Sequence, residues 1–456
     1  MQRLGFEYNQ TAQNKIKECD DWYSDKVTEF HERKNINGAK VTLDSINFAK
    51  RGCADDANLC EIIEINTGES SFEAVNDILS ENRFNVMYRQ QLERMSADGT
   101  VGAYVRIVDA EELADGTLRG GKVTINYCNA ENIIPLTVVN NEVIECAFVG
   151  ESIVKGKDET VLVIFTLDES GKYVADTYIY KDDKEVGNTS VQLGEVKPFA
   201  IMRTAEVNNL NDMEGYGYPK LYSSIPVLKA LDLAYNILYG DLSKGDKLVF
   251  LNELLSCIAT DMDGNKYLSA QQKELFVLLG EKLPEQNSII YEYNPEIRIE
   301  AVTKAFETLL SLFSMTFGYG TKKYTFENGQ IKTATEYIGS RQDAMQELNK
   351  QRQEATDYIT NICKAVMWFS NTYLGTSFNE DIEVNVDFDD SLITDREAEL
   401  ERLRNDAQTF DIPILKVWYM MKAYNLDENE ATKLVTEAQR IKDEEDTEDS
   451  NFGENE

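Results

Sequence analysis

A chain of 456 residues, 42% of them hydrophobic, is long enough for a large buried core and calls for several domains, which excludes general disorder. Its 81 acidic and 46 basic residues leave a formal net charge of −35, and such a surface repels phosphates, which argues against a tight nucleic-acid binder that works by releasing counterions. Seven cysteines (Cys19, Cys53, Cys60, Cys128, Cys146, Cys257, Cys363) form an odd set without a CxxC pair, and the single histidine, His31, completes no zinc site, so reduced buried thiols and no metal are expected.

The start, Met1-Gln2-Arg3-Leu4-Gly5-Phe6-Glu7, lacks the apolar core of a signal peptide, and no run approaches the roughly 18 apolar residues of a membrane span, so a soluble intracellular protein is expected. Residues 6–50 read as polar helix carrying Trp22, Tyr23 and Phe30, with His31 on its surface. A second helix is predicted from Ser71 to Met95, and Asp98-Gly99 supplies the turn after it. Strands follow at Val101–Val108, Lys122–Tyr127, Glu142–Val149, Thr160–Leu167 and Tyr173–Tyr180, separated by Asp-Gly, Gly-Gly, Asn-Asn and Ser-Gly pairs, which predicts a mostly antiparallel β-rich region on a helical base.

Beyond Gly215-Tyr216-Gly217, Pro219 opens a helix whose face carries Leu221, Ile225, Leu228, Leu231, Tyr235, Leu238 and Leu242, with Pro226 implying a kink or a restart. Residues 251–300 read as a compact insert: a helical start at Leu251–Ile258, a turn at Asp261–Asn265, a helix near Ala270–Leu279 and a strand at Ser288–Tyr293. Val302, Ala305, Phe306, Leu309, Leu310, Phe313 and Phe317 then share one helical face, and Phe317-Gly318-Tyr319-Gly320 ends it. After a polar stretch, Thr333 at an N-cap and Glu336 three residues on predict a long helix, with a stripe of Ile338, Met345, Leu348, Ala355, Ile359, Ile362, Val366 and Phe369 that also takes in Arg341 and Arg352. Running from 334 to 374, it would span roughly 60 Å, a mechanical length rather than that of a small enzyme. Ile382, Val384, Val386 and Phe388 alternate as a strand. Helices are expected from Thr394 through Ala407, from Pro413, and from Asn429 to Ile441, with a disordered acidic tail from Lys442 to Glu456.

Little in the chain speaks for catalysis. No Gly-Lys-Ser/Thr phosphate loop and no GxSxG elbow occur, the two Gly-Tyr-Gly triplets are only GxG, and Asp261–Asn265 lacks the glycine and glutamate of a calcium loop. Acidic pairs such as Asp20-Asp21, Asp182-Asp183 and Asp389-Asp390 read as solvated faces. Lys322-Lys323 stands out, because two adjacent cations between Tyr319 and Tyr324, in a loop between helices, suit sequence-independent contact with phosphates and sugars.

The order of these features resembles the portal proteins of tailed bacteriophages, especially those of phages that infect Gram-positive bacteria. Cys19-Asp20-Asp21-Trp22-Tyr23, the runs Glu81–Phe84 and Asp98–Ala103, and Asn129–Pro135 look like the family's N-terminal half; Gly215–Pro219 leading to Leu228–Asp232 looks like the entry to a first stem helix; Phe317–Gly320 followed by Lys332–Glu336 looks like the tunnel loop and the start of the long helix.

The resemblance implies a non-enzymatic α+β portal fold that assembles into a ring, usually of twelve subunits, at one capsid vertex. It divides the chain into a β-rich wing region (1–215), a first stem helix (216–250), a small α/β clip (251–300), a second stem helix (301–317), a tunnel loop (318–333), a long wing helix and strand (334–392), a helical crown (393–441) and an acidic tail (442–456). Lys322, Lys323, Tyr324 and Asn328 would be the tunnel-loop contacts to double-stranded DNA, and Thr333 and Glu336 the cap of the long helix. Implied partners are further copies of the chain, the terminase large subunit, a head-completion adaptor, and the major capsid and scaffold proteins, with no cofactor, metal or membrane. Twelve copies would carry about −420 charges, which would keep the duplex off the channel walls. The alternative is a capsid-associated adaptor or scaffold protein that forms no DNA-conducting ring.

Overall fold

Asn9 starts the first helix by accepting the Ala12 amide on its side chain, the usual remedy for an orphaned N–H in a first turn. The structure is a computed structural model. It describes the whole chain except residues 1–4, 7–8, 35–37, 68–71, 113–117, 155–156, 183, 246–247, 253–258, 261–265, 268–275, 280–289, 295–297, 322, 325–333, 389–395, 411, 425 and 453–456. The chain divides into two units, one of residues 1–330 and 340–388, the other of 331–339 and 389–456.

In chain order the elements are α1 (Gln10–Tyr23), α2 (Thr28–His31), a hairpin of β1 (Glu32–Lys34) and β2 (Lys40–Thr42), α3 (Phe48–Ala57), β3 (Ile62–Asn66), α4 (Glu73–Glu81) and α5 (Phe84–Asp98). The helix expected through residues 6–50 is therefore several elements. Asp25 and Asn47 adopt the left-handed conformation, and Asn47 caps α3 through the Lys50 amide. A left-handed Arg83 likewise splits the predicted Ser71–Met95 helix in two. Single left-handed residues of this kind leave the apolar periodicity on either side intact, so periodicity alone runs across them. Two further expectations fail for a shared reason: His31 is buried rather than on the surface, and so is Asp20, which takes Arg94 at 2.7 Å instead of facing solvent.

Next come β4 (Thr100–Val108), a two-residue pair β5 (Glu111–Glu112) and β6 (Leu118–Arg119), β7 (Lys122–Asn129), β8 (Ile133–Val139), β9 (Glu142–Val154), β10 (Lys157–Leu167), β11 (Tyr173–Lys181), β12 (Lys184–Gln192) and β13 (Phe199–Arg203). All five predicted strands are present, and β8, β12 and β13 are additional, as is the short β5–β6 pair. Apart from the β5–β6 pair, these strands form two antiparallel sheets, one in the order β13-β4-β7, the other the meander β12-β11-β10-β9-β8. Tyr104 and Phe199 of the first pack on Phe148 and Phe165 of the second, with ring centroids 5.1–5.8 Å apart. That aromatic layer is the core between the sheets.

The chain continues with α6 (Lys220–Lys244), β14 (Leu248–Asn252), β15 (Ala259–Thr260), β16 (Lys266–Tyr267), β17 (Phe276–Leu279), β18 (Ile290–Tyr293), α7 (Ile299–Thr316), α8 (Ala334–Phe369) and β19 (Asn385–Phe388). Pro226 lies inside α6 without ending it. In the insert, Phe276–Leu279, expected at the end of a helix, is a strand running parallel to β14, and Leu251-Asn252 is strand as well; short apolar runs suit either element, and here pairing decides. The expected Asp261–Asn265 turn lies outside the described residues. Among those described, α8 buries the expected Leu348, Ala355, Ile359, Ile362, Val366 and Phe369, and its last turn widens to a π-helix at Ser370–Leu374 before a left-handed Gly375. β19 pairs with β3, joining residues more than three hundred positions apart in one small sheet.

The second unit holds α9 (Arg396–Phe410), α10 (Pro413–Tyr424) and α11 (Glu428–Phe452), with Val417, Ala431 and Val435 as its core. The last helix does not stop at Ile441 but continues to Phe452 through the segment read as a disordered tail. Six of the seven cysteines are buried free thiols; Cys257 lies outside the described residues. No described helix is long and apolar enough to cross a membrane.

Two glycines test how tightly the larger unit is packed. Gly52 on α3 would place a Cβ 2.8 Å from the rings of Phe313 and Phe317, and Gly99, at φ +81°, would place one 2.5 Å from the Gly217 carbonyl oxygen. A ring can shift by a few tenths of an ångström, whereas backbone fixed at a left-handed turn has no such freedom. Gly99→Ala is expected to lose about 2 kcal/mol or more and Gly52→Ala about 1–2 kcal/mol in urea unfolding. A Gly99→Ala protein as stable as the parent would refute this account of the turn.

Candidate functional site at the break after the seventh helix

The last turn of α7 is closed by two glycines. Gly318 and Gly320 have φ of 77° and 68°, and the Gly318 and Tyr319 amides return to the Met315 and Ser314 carbonyls at 3.0 and 3.1 Å. A side chain other than glycine is disfavoured in that conformation, so the Gly-Tyr-Gly triplet has a backbone reason. Its effect is to turn Tyr319 back into the protein, where it is 4% exposed and its ring stacks on Phe317.

There the Tyr319 hydroxyl donates to Asp56 Oδ1 at 2.8 Å. Lys220 Nζ, at the first residue of α6, donates to the same oxygen at 3.1 Å, and Ser96 from α5 donates to Oδ2. Lys220 is 1% exposed and Asp56 8%. An unpaired carboxylate or ammonium in such a place would cost several kcal/mol, so the pair and its two hydroxyl donors satisfy one another. Asp56 thereby ties α3, α5, α6 and the turn after α7 together.

The neighbouring Asp55 does the same for Tyr324, whose hydroxyl donates to Oδ2 at 2.9 Å while Arg51 Nε donates to that oxygen at 3.0 Å. The Tyr324 ring lies against Phe313 and Phe48, at 5.5 and 6.5 Å between centroids. Burial first, and the adjacent carboxylates second, push the Tyr319 and Tyr324 hydroxyls well above the usual phenol range, so both remain protonated donors. The stretch 319–324 is stapled at both ends to one pair of aspartates on α3. Lys323 lies between the staples as an exposed residue, its amide donating to Ser314 Oγ at 3.3 Å and its ammonium 3.9 Å above the Tyr319 ring centroid.

Of the residues singled out in the sequence, Lys323 and Tyr324 are thus brought together. Tyr324, expected among the contact residues, is an anchor of the loop here. Lys322, Asn328 and Thr333 lie outside the described residues; Glu336 is in the first turn of α8, and its side chain lies outside them too. The residues that sequence reasoning missed are Asp55, Asp56, Ser96 and Lys220. Asp55-Asp56 is one more acidic pair in a chain with 81 acidic residues, and only a fold that covers it distinguishes it from a solvated one. Among the described residues no group of three or more His, Cys, Asp or Glu side chains is placed to hold a metal ion.

Residues 8–451 match the protein family described as Phage portal protein, SPP1 Gp6-like. No curated protein sequence matches. Among solved structures, the chain is similar to one from the virion of a native gene transfer agent particle, at 10% identity and a TM-score of 0.38, covering 78% of this chain and 83% of that one. It is similar also to one from the neck of a native gene transfer agent particle computed with C12 symmetry, at 9% identity and a TM-score of 0.39, covering 78% and 84%. The family assignment rests on the match across residues 8–451.

Replacing Lys220 by methionine strands the Asp56 carboxylate, and a loss of about 3–5 kcal/mol is expected in urea unfolding. Tyr324→Phe removes one hydroxyl from a buried carboxylate that keeps Arg51, so about 1–2 kcal/mol is expected. If the two variants were equally stable, the central place given to Asp56 would be wrong.

Proposed function

This chain belongs to the SPP1 Gp6-like phage portal protein family, and from that premise we propose that it forms a ring, of twelve subunits, through which double-stranded DNA enters the capsid and later leaves. As a portal protein it is a structural component of the virion, at the portal vertex, and not an enzyme. The ring would dock a terminase large subunit during packaging and a head-completion adaptor afterwards, and would be built into the shell with the major capsid and scaffold proteins. The match across residues 8–451 is the observation that carries this reading.

The proposed division keeps residues 1–215 as wing, 216–250 and 301–317 as stem, 251–300 as clip, 318–333 as tunnel loop, 334–392 as long wing helix and strand, and 393–441 as crown. It is supported by the positions of α6, α7 and α8 and by the small sheet of β14, β17 and β18 in the insert. The stretch from Lys442, now helical to Phe452, is treated as an extension of the crown's last helix.

Within that ring, Lys322 and Lys323 are the proposed DNA contacts, with Asn328 further along the same loop. A cation on a short anchored stretch suits brief phosphate contacts, because the height of Lys323 is set by Tyr319 and Tyr324 while nothing in it reads a base. The strongly acidic remainder of the chain would keep the duplex from adhering elsewhere.

Two measurements test this reading. Mass photometry and negative-stain microscopy of the purified protein are expected to show rings of about twelve subunits, and a monomer or dimer at micromolar concentration would favour the adaptor or scaffold alternative. Lys322→Ala/Lys323→Ala is expected to assemble normally but to change the rate or completeness of DNA packaging; packaging unchanged in both respects would remove the lysines from the mechanism.

A further inference from the structure

His31, the chain's only histidine, is 8% exposed and packed against Trp22 and Phe30. Its ring sits between two acceptors. Nδ1 is 2.7 Å from the Val27 carbonyl oxygen, and Nε2 is 2.9 Å from Asp232 Oδ2 on α6. A carbonyl oxygen offers only lone pairs, so Nδ1 carries a hydrogen, and an ionised Asp232 requires one on Nε2 as well. A ring that donates from both nitrogens is an imidazolium.

The same turn of α6 grips the chain on either side of that contact. Asp232 Oδ1 accepts the Ile46 amide at 3.1 Å. Four residues on, Asn236 pairs with the Asp44 backbone in both directions, Nδ2 donating to its carbonyl at 2.7 Å and Oδ1 accepting its amide at 2.9 Å. Leu43 closes the loop by donating its amide to the His31 carbonyl at 2.7 Å. Residues 31, 44 and 46 are thus fastened to two side chains of one helix, and Leu43 to His31.

We propose that the His31–Asp232 contact is a pH-operated catch, which fastens the chain at His31, Asp44 and Ile46 to α6 while the ring is charged and loosens it when the ring loses its proton. Asp232 from α6 and Asp25 from the turn before α2 are the charges that favour the imidazolium; α1 presents the uncharged Trp22, with Lys229 of α6 6.0 Å above that ring. Burial lowers the His31 pKa, and the bonds to Asp232 and Val27 with the charges of Asp232 and Asp25 outweigh it, leaving the ring above its ordinary value; burial raises Asp232. With the folded histidine raised, its stabilisation is complete below the unfolded value of about 6.5 and is lost as pH rises through the folded value. Each unit of that rise is worth about tenfold in the opening equilibrium of the segment. The catch does not depend on the ring reading, and its failure would leave that reading untouched.

The test uses the full-length protein labelled with 15N-histidine, whose single ring reports its own protonation, together with hydrogen exchange of residues 28–46 expressed as protection factors so that intrinsic pH effects cancel. At pH 6.5 both ring nitrogens are expected to be protonated. Protection of 28–46 is expected to fall as pH is raised through the observed titration, while the β4–β13 sheets keep theirs. In His31→Gln the segment should be less protected at pH 6.5 and its pH dependence should vanish. Asn236→Ala should be less protected at every pH yet keep the dependence, which supplies a readout if the glutamine variant does not fold. A neutral ring at pH 6.5, or a pH profile of 28–46 identical in the parent and His31→Gln, would overturn the catch.

Discussion

One buried carboxylate joins three helices and a turn of the larger unit. Asp56 collects an ammonium from Lys220, a phenol from Tyr319 and a hydroxyl from Ser96, and these donors lie 164, 263 and 40 residues away in the chain. Burying the charge is unfavourable unless all of them arrive, so the hub is satisfied only when α3, α5, α6 and the turn after α7 are assembled together. Around it the apolar faces of α1, α3, α6 and α7 close into one cluster, with Leu221, Ile225, Leu228 and Leu231 meeting Leu310, Phe313 and Phe317. The hydrophobic contacts supply the bulk of the stabilisation, and the polar hub selects one arrangement among the many that would bury the same area.

The loop after α7 inherits its position from that hub. Two glycines let the backbone reverse, and two tyrosines then fix it to adjacent aspartates. Lys323 is carried on the stretch between them. For the conduit proposed above, a cation on an anchored base and a cation on a free strand differ in kind, because only the first meets a passing duplex at a set height. The Lys323 ammonium over the Tyr319 ring ties the charge to the anchor itself.

Other buried charges of this acidic chain follow a related pattern, with partners supplied by α5 and α6. Arg94 on α5 takes Asp20 and its own helix neighbour Asp98, whose carboxyl is pushed up to about 8 by burial despite the arginine. Asp232 on α6 takes His31. These two helices therefore act as the electrostatic frame of the N-terminal segments as well as their apolar floor.

Periodicity in the amino-acid sequence was enough to locate α6, α7, α8 and the five strands it predicted between Val101 and Tyr180, because each carries its apolar residues at the spacing of one face, and the order of motifs was enough to point to the portal family. It also marked Gly318-Tyr319-Gly320 as a break and Lys322-Lys323 as unusual. It missed what depends on single residues or on distant partners: the left-handed breaks at Asp25, Asn47 and Arg83, the strands β8, β12 and β13, and the continuation of the last helix to Phe452. The burial of His31, Asp20, Asp55 and Asp56 was equally hidden. In a chain with 81 acidic residues, an aspartate in solvent and one at the centre of the fold are spelled alike, and they differ only in whether a lysine, a tyrosine or a histidine from elsewhere comes within hydrogen-bonding distance, which the tertiary structure alone decides.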